Sequence, residues 1–210
     1  MVNSAAYATV FSPNAPVRSP FEGHASGNRP NAGGQIGVQI TASMLPSVTL
    51  ISTWISGLSG LLDALSTVFG DIVPQRIGKT TRTEFGLLAR SGPEEFLLIG
   101  DDPTDRAAML RTLIGAEIGS VTDLSHARCR IHIEGAKCRT VLNKLFALDL
   151  REAAFAIGDV AMSGTHHVPS TLHRLGADSF DLYVFSTYAY DQLATVLDAA
   201  QEYGVALQPG

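Results

Sequence analysis

From Arg128 to Glu134 the chain alternates strictly, with Arg128, Arg130, His132 and Glu134 on one side and Cys129, Ile131 and Ile133 on the other. A period of two sends successive side chains to opposite faces and predicts a half-buried strand. Gly135 breaks the pattern. From Ala136 onward Cys138, Val141, Leu142, Leu145 and Phe146 recur at offsets of three and four, the spacing of an amphipathic helix.

The same reading extends along the chain. Ser47–Thr53 patterns as a strand and 55–69 as a helix with Ile55, Leu58, Leu62, Leu65 and Phe69 inward. Residues 84–90 and 95–100 form a predicted hairpin through Ser91-Gly92-Pro93. Asp102 followed by Pro103 predicts a helix start, and that helix ends near Gly115. Residues 160–185 supply further strands with a turn at Gly176-Ala177-Asp178. A last helix spans 187–203, lined by Tyr190, Leu193, Leu197 and Ala200 and stopped by Gly204. Strand, helix, hairpin, helix, and then the same order again predict an α+β fold of two ferredoxin-like split β-α-β units. The domain runs over 47–205, with pseudo-repeat halves of about 47–120 and 121–205. Residues 1–46, rich in Pro, Gly, Ser and Asn, predict an extended arm.

Composition narrows the function classes. Only 17% of the 210 residues are charged against 45% hydrophobic, which leaves surface free for interfaces depleted of charge. The net charge of −5 argues against nucleic acid, whose binders need clustered cations. Residues 30–62 contain no charge at all, but Pro46, Gly57, Gly60 and many Ser and Thr interrupt them, so an apolar docking surface is expected rather than a membrane span. The two cysteines, Cys129 and Cys138, fall on predicted apolar faces and read as reduced core residues in a cytoplasmic protein.

Candidate chemistry is sparse. Asp123, Ser125 and His126 contain nucleophile and base types, but near neighbours in sequence rarely face one another, so they read as a turn that bonds its own backbone. His166 and His167 on a strand would point opposite ways and lack a ligand spacing, so no metal site is expected. Gly78-Lys79-Thr80 resembles the end of a phosphate loop, yet position 73 is Val73 where the loop needs glycine. Gly34 and Gly37 are preceded by Ala32 where a dinucleotide fingerprint needs its first glycine. Arg128, Arg130 and His132, with Lys137 and Arg139, form a basic group open to three readings: a seat for a polyanionic tail, a contact with acidic groups of another chain, or a solvated face. No catalytic, cofactor-binding or metal-binding residue is therefore expected in this chain.

The ordered series Thr122-Asp123-Leu124-Ser125-His126, alternating basic strand, Gly135-Ala136-Lys137, helix and Leu148-Asp149-Leu150 resembles the gamma subunit of heterotetrameric sarcosine oxidase. The likeness continues to Ser91-Gly92-Pro93-Glu94-Glu95-Phe96, His167-Val168-Pro169 and Phe180-Asp181-Leu182-Tyr183-Val184, covering roughly 60–204. More distantly the series is similar to the glycine-cleavage T-protein. The resemblance implies a T-protein-like domain acting as a non-catalytic subunit beside alpha, beta and delta chains. Those partners would carry FAD, FMN, NAD, tetrahydrofolate and zinc, and the complex would oxidise sarcosine. Alternatives are a sister complex acting on another N-methyl amino acid, or a free-standing folate-binding one-carbon module. Residues 162–167 lack the acids that T-proteins carry in the pterin-handling half.

Overall fold

A computed structural model describes residues 18–209. Its strands and helices follow in the order β1 (Gly27–Arg29), β2 (Val38–Met44), β3 (Ser47–Thr53), α1 (Leu58–Phe69), β4 (Thr80–Thr83), β5 (Gly86–Gly92), β6 (Glu95–Gly100) and α2 (Arg106–Ile118). There follow β7 (Gly119–Asp123), β8 (Arg128–Glu134), α3 (Cys138–Leu145), β9 (Val160–Thr165), β10 (Val168–Gly176), β11 (Ser179–Phe185), α4 (Ala189–Ala200) and β12 (Val205–Pro209). Five strands form one sheet in the order β4-β5-β6-β3-β7, and seven form the other in the order β1-β12-β2-β8-β11-β10-β9.

Each sheet contains a split β-α-β unit. In the first, β3, β5, β6 and β7 lie in the order β5-β6-β3-β7, with α1 and α2 as the crossovers. In the second, β8, β10, β11 and β12 play the same parts with α3 and α4, but β2 is inserted between β8 and β12. It runs parallel to β12 and antiparallel to β8. One face of the larger sheet buries Ile40, Cys129, Ile131, Ile133, Leu172, Phe180 and Leu182 against Val141 and Leu142 of α3 and Leu193 and Val196 of α4. The smaller sheet packs Ile51, Leu88, Phe96 and Leu98 against Leu61, Leu65, Leu110 and Ile114 of its own two helices. The other faces of the sheets meet through Leu45, Val48, Leu87, Leu97, Ile99 and Tyr183. Helices thus lie outside and the sheets inside.

The strand-glycine-helix signal is realised as expected. Cys129, Ile131 and Ile133 are buried, and so are Cys138, Val141, Leu142 and Leu145. Gly135 has φ +116°, and a Cβ there would stand 2.7 Å from the carbonyl oxygen of Gly37, so both conformation and space demand glycine.

Several expectations are corrected. Residues 38–44 are not part of an arm: alternation puts Val38 and Ile40 into the core, and backbone bonds on both edges hold the strand inside the larger sheet. Residues 1–17 of the expected arm lie outside the described residues. Ile55 does not face inward but is 88% exposed, because Ser56 at φ +71° breaks the backbone before α1 begins. Leu61 takes the fully buried place expected of Leu62, which is partly buried. Asp102 does not cap α2; Asp105 does, accepting from the amides of Ala107 (3.0 Å) and Ala108 (3.4 Å). Asp102 instead accepts from the Thr104 amide and pairs with Arg106 at 2.7 Å. Tyr190 turns outward to stack on His24, and Ala189, Gln192 and Val196 join the buried face. Residues 30–62 fold mainly as β2, β3 and the start of α1, and among the described residues no helix is long and apolar enough to cross a membrane.

Candidate functional site

Strand register builds two polar rows on the inner face of the larger sheet. Ser43 of β2 pairs with Arg130 of β8, which pairs with Tyr183 of β11, which pairs with Thr171 of β10. One pleat away lie Thr41, His132, Asp181 and His173. Every one of these positions alternates with a residue on the helix-packed side, so the pattern that buries Ile131 and Leu182 delivers Arg130 and Asp181 to the opposite face. The rows border a cavity of about 290 Å³ between the sheets. Leu45, Leu87 and Ile99 supply apolar wall, while Arg82 and Asp101 form an ion pair at 2.5 Å on its border.

Asp181 is the hub of the polar cluster. It is 5% exposed, accepts from His132 Nδ1 at 2.8 Å, and accepts from the Tyr183 hydroxyl at 3.2 Å. The second nitrogen of His132 faces Glu134 at 3.5 Å. Hydrogen bonding to Asp181 holds the imidazole of His132 above its usual value of 6.5. Burial beside Asp181 pushes the Tyr183 phenol well above its usual value of 10.0. His173 has the opposite fate: burial pushes it below 6.5. Both nitrogens of His132 are thus engaged by carboxylates, whereas His173 keeps Nδ1 without a partner.

These two histidines predict a stability maximum near pH 6.5. A raised folded value for His132 stabilises the fold below 6.5, and that contribution is lost as pH climbs through the folded value. A depressed value for His173 stabilises above 6.5, and its contribution is lost as pH falls towards the folded value. Urea midpoints between about pH 5 and 8 should fall on both sides. His132→Gln should flatten the alkaline limb and His173→Gln the acid limb; unchanged limbs in both variants would contradict the assignment.

The residues singled out by sequence fall in several places. Asp123 accepts from the amide (2.9 Å) and hydroxyl (2.5 Å) of Ser125, whose oxygen accepts from the Val48 amide at 3.1 Å. These bonds hold Asp123 below the usual carboxylate value. His126 is exposed, with its carbonyl accepting from Ser186 Oγ at 2.7 Å. The three form a turn that ties β7 to β8. His166 and His167 are not on a strand: they are the two turn residues between β9 and β10, with φ +48° and +67°. Positive φ at both central positions is the signature of a type I′ hairpin turn, a conformation that histidine tolerates better than most residues.

Gly78 donates its amide to Arg90 O and Lys79 pairs with Asp159, so this segment offers no phosphate cradle. The five basic candidates do not converge. Arg128 stacks its guanidinium 3.7 Å from the Phe185 ring centre, His132 is tied to Asp181, and Arg139 faces Asp178 at 3.4 Å beyond the other end of β8. Exposed Lys137 lies past Gly135 in the same direction, and of the five only Arg130 lines the cavity. Sequence reasoning missed His173, Asp181 and Tyr183 as site residues. Alternation in Phe180-Asp181-Leu182-Tyr183-Val184 separates the polar from the apolar positions, but only register brings them beside Arg130.

No family model matches the chain. Its relatives include the sarcosine oxidase subunit gamma of Corynebacterium sp. (strain P-1), 29% identical over 146 residues, covering 69% of this chain and 72% of the relative. The subunit gamma of Corynebacterium sp. (strain U-96) is 26% identical over 144 residues, covering 68% and 70%. Among solved structures, the heterotetrameric sarcosine oxidase from Corynebacterium sp. U-96 in complex with pyrrole 2-carboxylate matches with a TM-score of 0.67 and 24% identity, over 78% of this chain and 85% of that one. The glycine cleavage system aminomethyltransferase T from Bartonella henselae matches with a TM-score of 0.60 and 12% identity, over 82% of this chain and 48% of that one. The second likeness is one of fold, and it agrees with the paired split β-α-β units described above. By sequence and by fold together, this chain is similar to the gamma subunits of sarcosine oxidase.

Proposed function

We propose that the chain is the gamma subunit of a flavin-dependent heterotetrameric sarcosine oxidase and plays a structural, non-catalytic part in it. The observation that carries this reading is the similarity to two gamma subunits over more than two thirds of their length. The complex would convert sarcosine, oxygen and water to glycine, formaldehyde and hydrogen peroxide, or pass the methyl carbon to tetrahydrofolate. Its partners are alpha, beta and delta chains, which carry FAD, FMN, NAD, tetrahydrofolate and zinc. Their assignment to the partners is supported by the failed glycine spacings at Val73 and Ala32 and by the engaged amide of Gly78. A cytoplasmic location is supported by two buried, unbridged cysteines, as reducing compartments keep thiols free.

The charge-free run over 30–62 includes exposed Trp54 and Ile55, a composition suited to a contact with another subunit. Co-expression with flavoprotein alpha and beta chains should therefore recover this chain in a yellow complex, whereas alone it should be poorly soluble. A well-behaved, colourless monomer without affinity for those chains would overturn the subunit assignment. Tetrahydrofolate binding by such a monomer would favour a free-standing one-carbon module.

A further inference from the structure

We propose that the cavity between the two sheets is a binding site for a small monocarboxylate with an apolar body, held through Arg130 and His173. Side-chain bonding at the wall points to an acceptor that is missing. Arg82 is paired with Asp101, and the Asp181 carboxylate is engaged by hydrogen bonds from His132 and Tyr183. Arg130 alone of the charged wall residues has a side chain with no ion pair or hydrogen bond among the described residues, and its Nε is buried without a partner. A guanidinium without a partner favours a planar carboxylate, which it can grip through two parallel bonds.

Two further polar groups support a built site. His173 is 4% exposed, lines the cavity and has an unpartnered Nδ1. Ser43, beside Arg130 in the strand register, has a buried hydroxyl without a partner. Buried polar groups are normally satisfied, so three orphans on one cavity wall mark a place where a ligand completes the bonding. The apolar walls at Leu87, Ile99 and Leu175 suit a hydrocarbon or aromatic body. A volume of about 290 Å³ holds about ten groups of water size, taking about 30 Å³ for each, which limits the ligand to a small acid.

This inference goes beyond the proposed subunit role and does not depend on it, since every group it invokes belongs to this chain. Its test is equilibrium dialysis of radiolabelled benzoate against the full-length chain, in whatever assembly it purifies. Wild type should show one saturable site per chain that Arg130→Gln weakens at least about tenfold, as expected for losing a charge-assisted bond. Leu175→Trp should abolish the same site by filling the cavity mouth, and Leu175 is 42% exposed, so that variant leaves the core intact. If Arg130→Gln fails to fold, loss or retention of the site in Leu175→Trp decides the matter. Absence of a saturable site at millimolar benzoate, unchanged binding in either folded variant, or equal affinity for inorganic phosphate would overturn the proposal.

Discussion

Arg174→Ala should lower the unfolding free energy by about 3–5 kcal/mol, the sum of lost volume and a stranded buried carbonyl. Arg174 is fully buried on β10, on the helix-packed side of the larger sheet. Its Nη1 donates to Phe155 O at 2.6 Å, its Nε to Gly176 O at 3.0 Å, and an Nη2 bond reaches Ala177 O at 3.4 Å. The guanidinium also sits 5.7 Å from the Phe180 ring centre. Glu152 at 3.8 Å is 71% exposed, so the ion pair is a minor part of what holds the charge. The fork of Arg174 ties the segment before β9 to the β10–β11 turn. Alanine leaves Phe155 O buried without a donor, and solvent can repair the turn carbonyls more readily. Lysine should restore only part of the loss, because a point charge cannot replace a planar fork. Methionine refills most of the volume and leaves the carbonyls orphaned, separating the two contributions. Urea midpoints for the three variants test this; a methionine variant as stable as wild type would mean that the carbonyls cost nothing to strand.

What was legible in sequence was local. The switch from period two to helical period around Gly135 specifies β8, α3 and their buried faces, because each strand or helix residue there carries the side chain its face requires. Composition misjudged residues 38–44. Val38, Gln39, Ile40 and Thr41 alternate as a strand, but the surrounding Gly, Asn and Pro masked a stretch too short to dominate the segment. No local signal could reveal that it enters the second unit, between β8 and β12. That insertion is a long-range pairing, decided by hydrogen-bonding edges rather than by periodicity.

The site was legible only by halves. Arg130 and His132 were candidates because they lie on the polar side of β8. Their fates differ because register sets His132 opposite Asp181 and Arg130 opposite Tyr183. One residue acquires a carboxylate and the other a phenol already committed to that carboxylate. His166 and His167 illustrate the converse, since adjacent histidines at a tight turn owe their conspicuous backbone to φ alone.

Leu142→Ala should destabilise the fold by about 2–5 kcal/mol, the range for emptying a buried leucine site. α3 has eight residues, too few to persist in water without tertiary contacts. Its fully buried Leu142 belongs to the core cluster that joins β8 to α4 through Ile131, Ile133, Leu193 and Val196. Neighbours held by two helices and a sheet cannot readily collapse into the space, which favours the upper part of the range. Leu145→Ala should cost less, since Leu145 lies at the edge of the same cluster with 9% exposure. Thr140→Ala on the exposed side of α3 is the control and should stay within about 0.5 kcal/mol of wild type. The consequence reaches the cavity: β8 carries Ile131 and Ile133 on one face and Arg130 on the other, so loosening α3 loosens the strand that positions the guanidinium. Leu142→Ala should therefore reduce the yield of folded chain before it changes any property of the chain that does fold. Equal urea midpoints for Leu142→Ala and Thr140→Ala would place the core on the wrong side of α3.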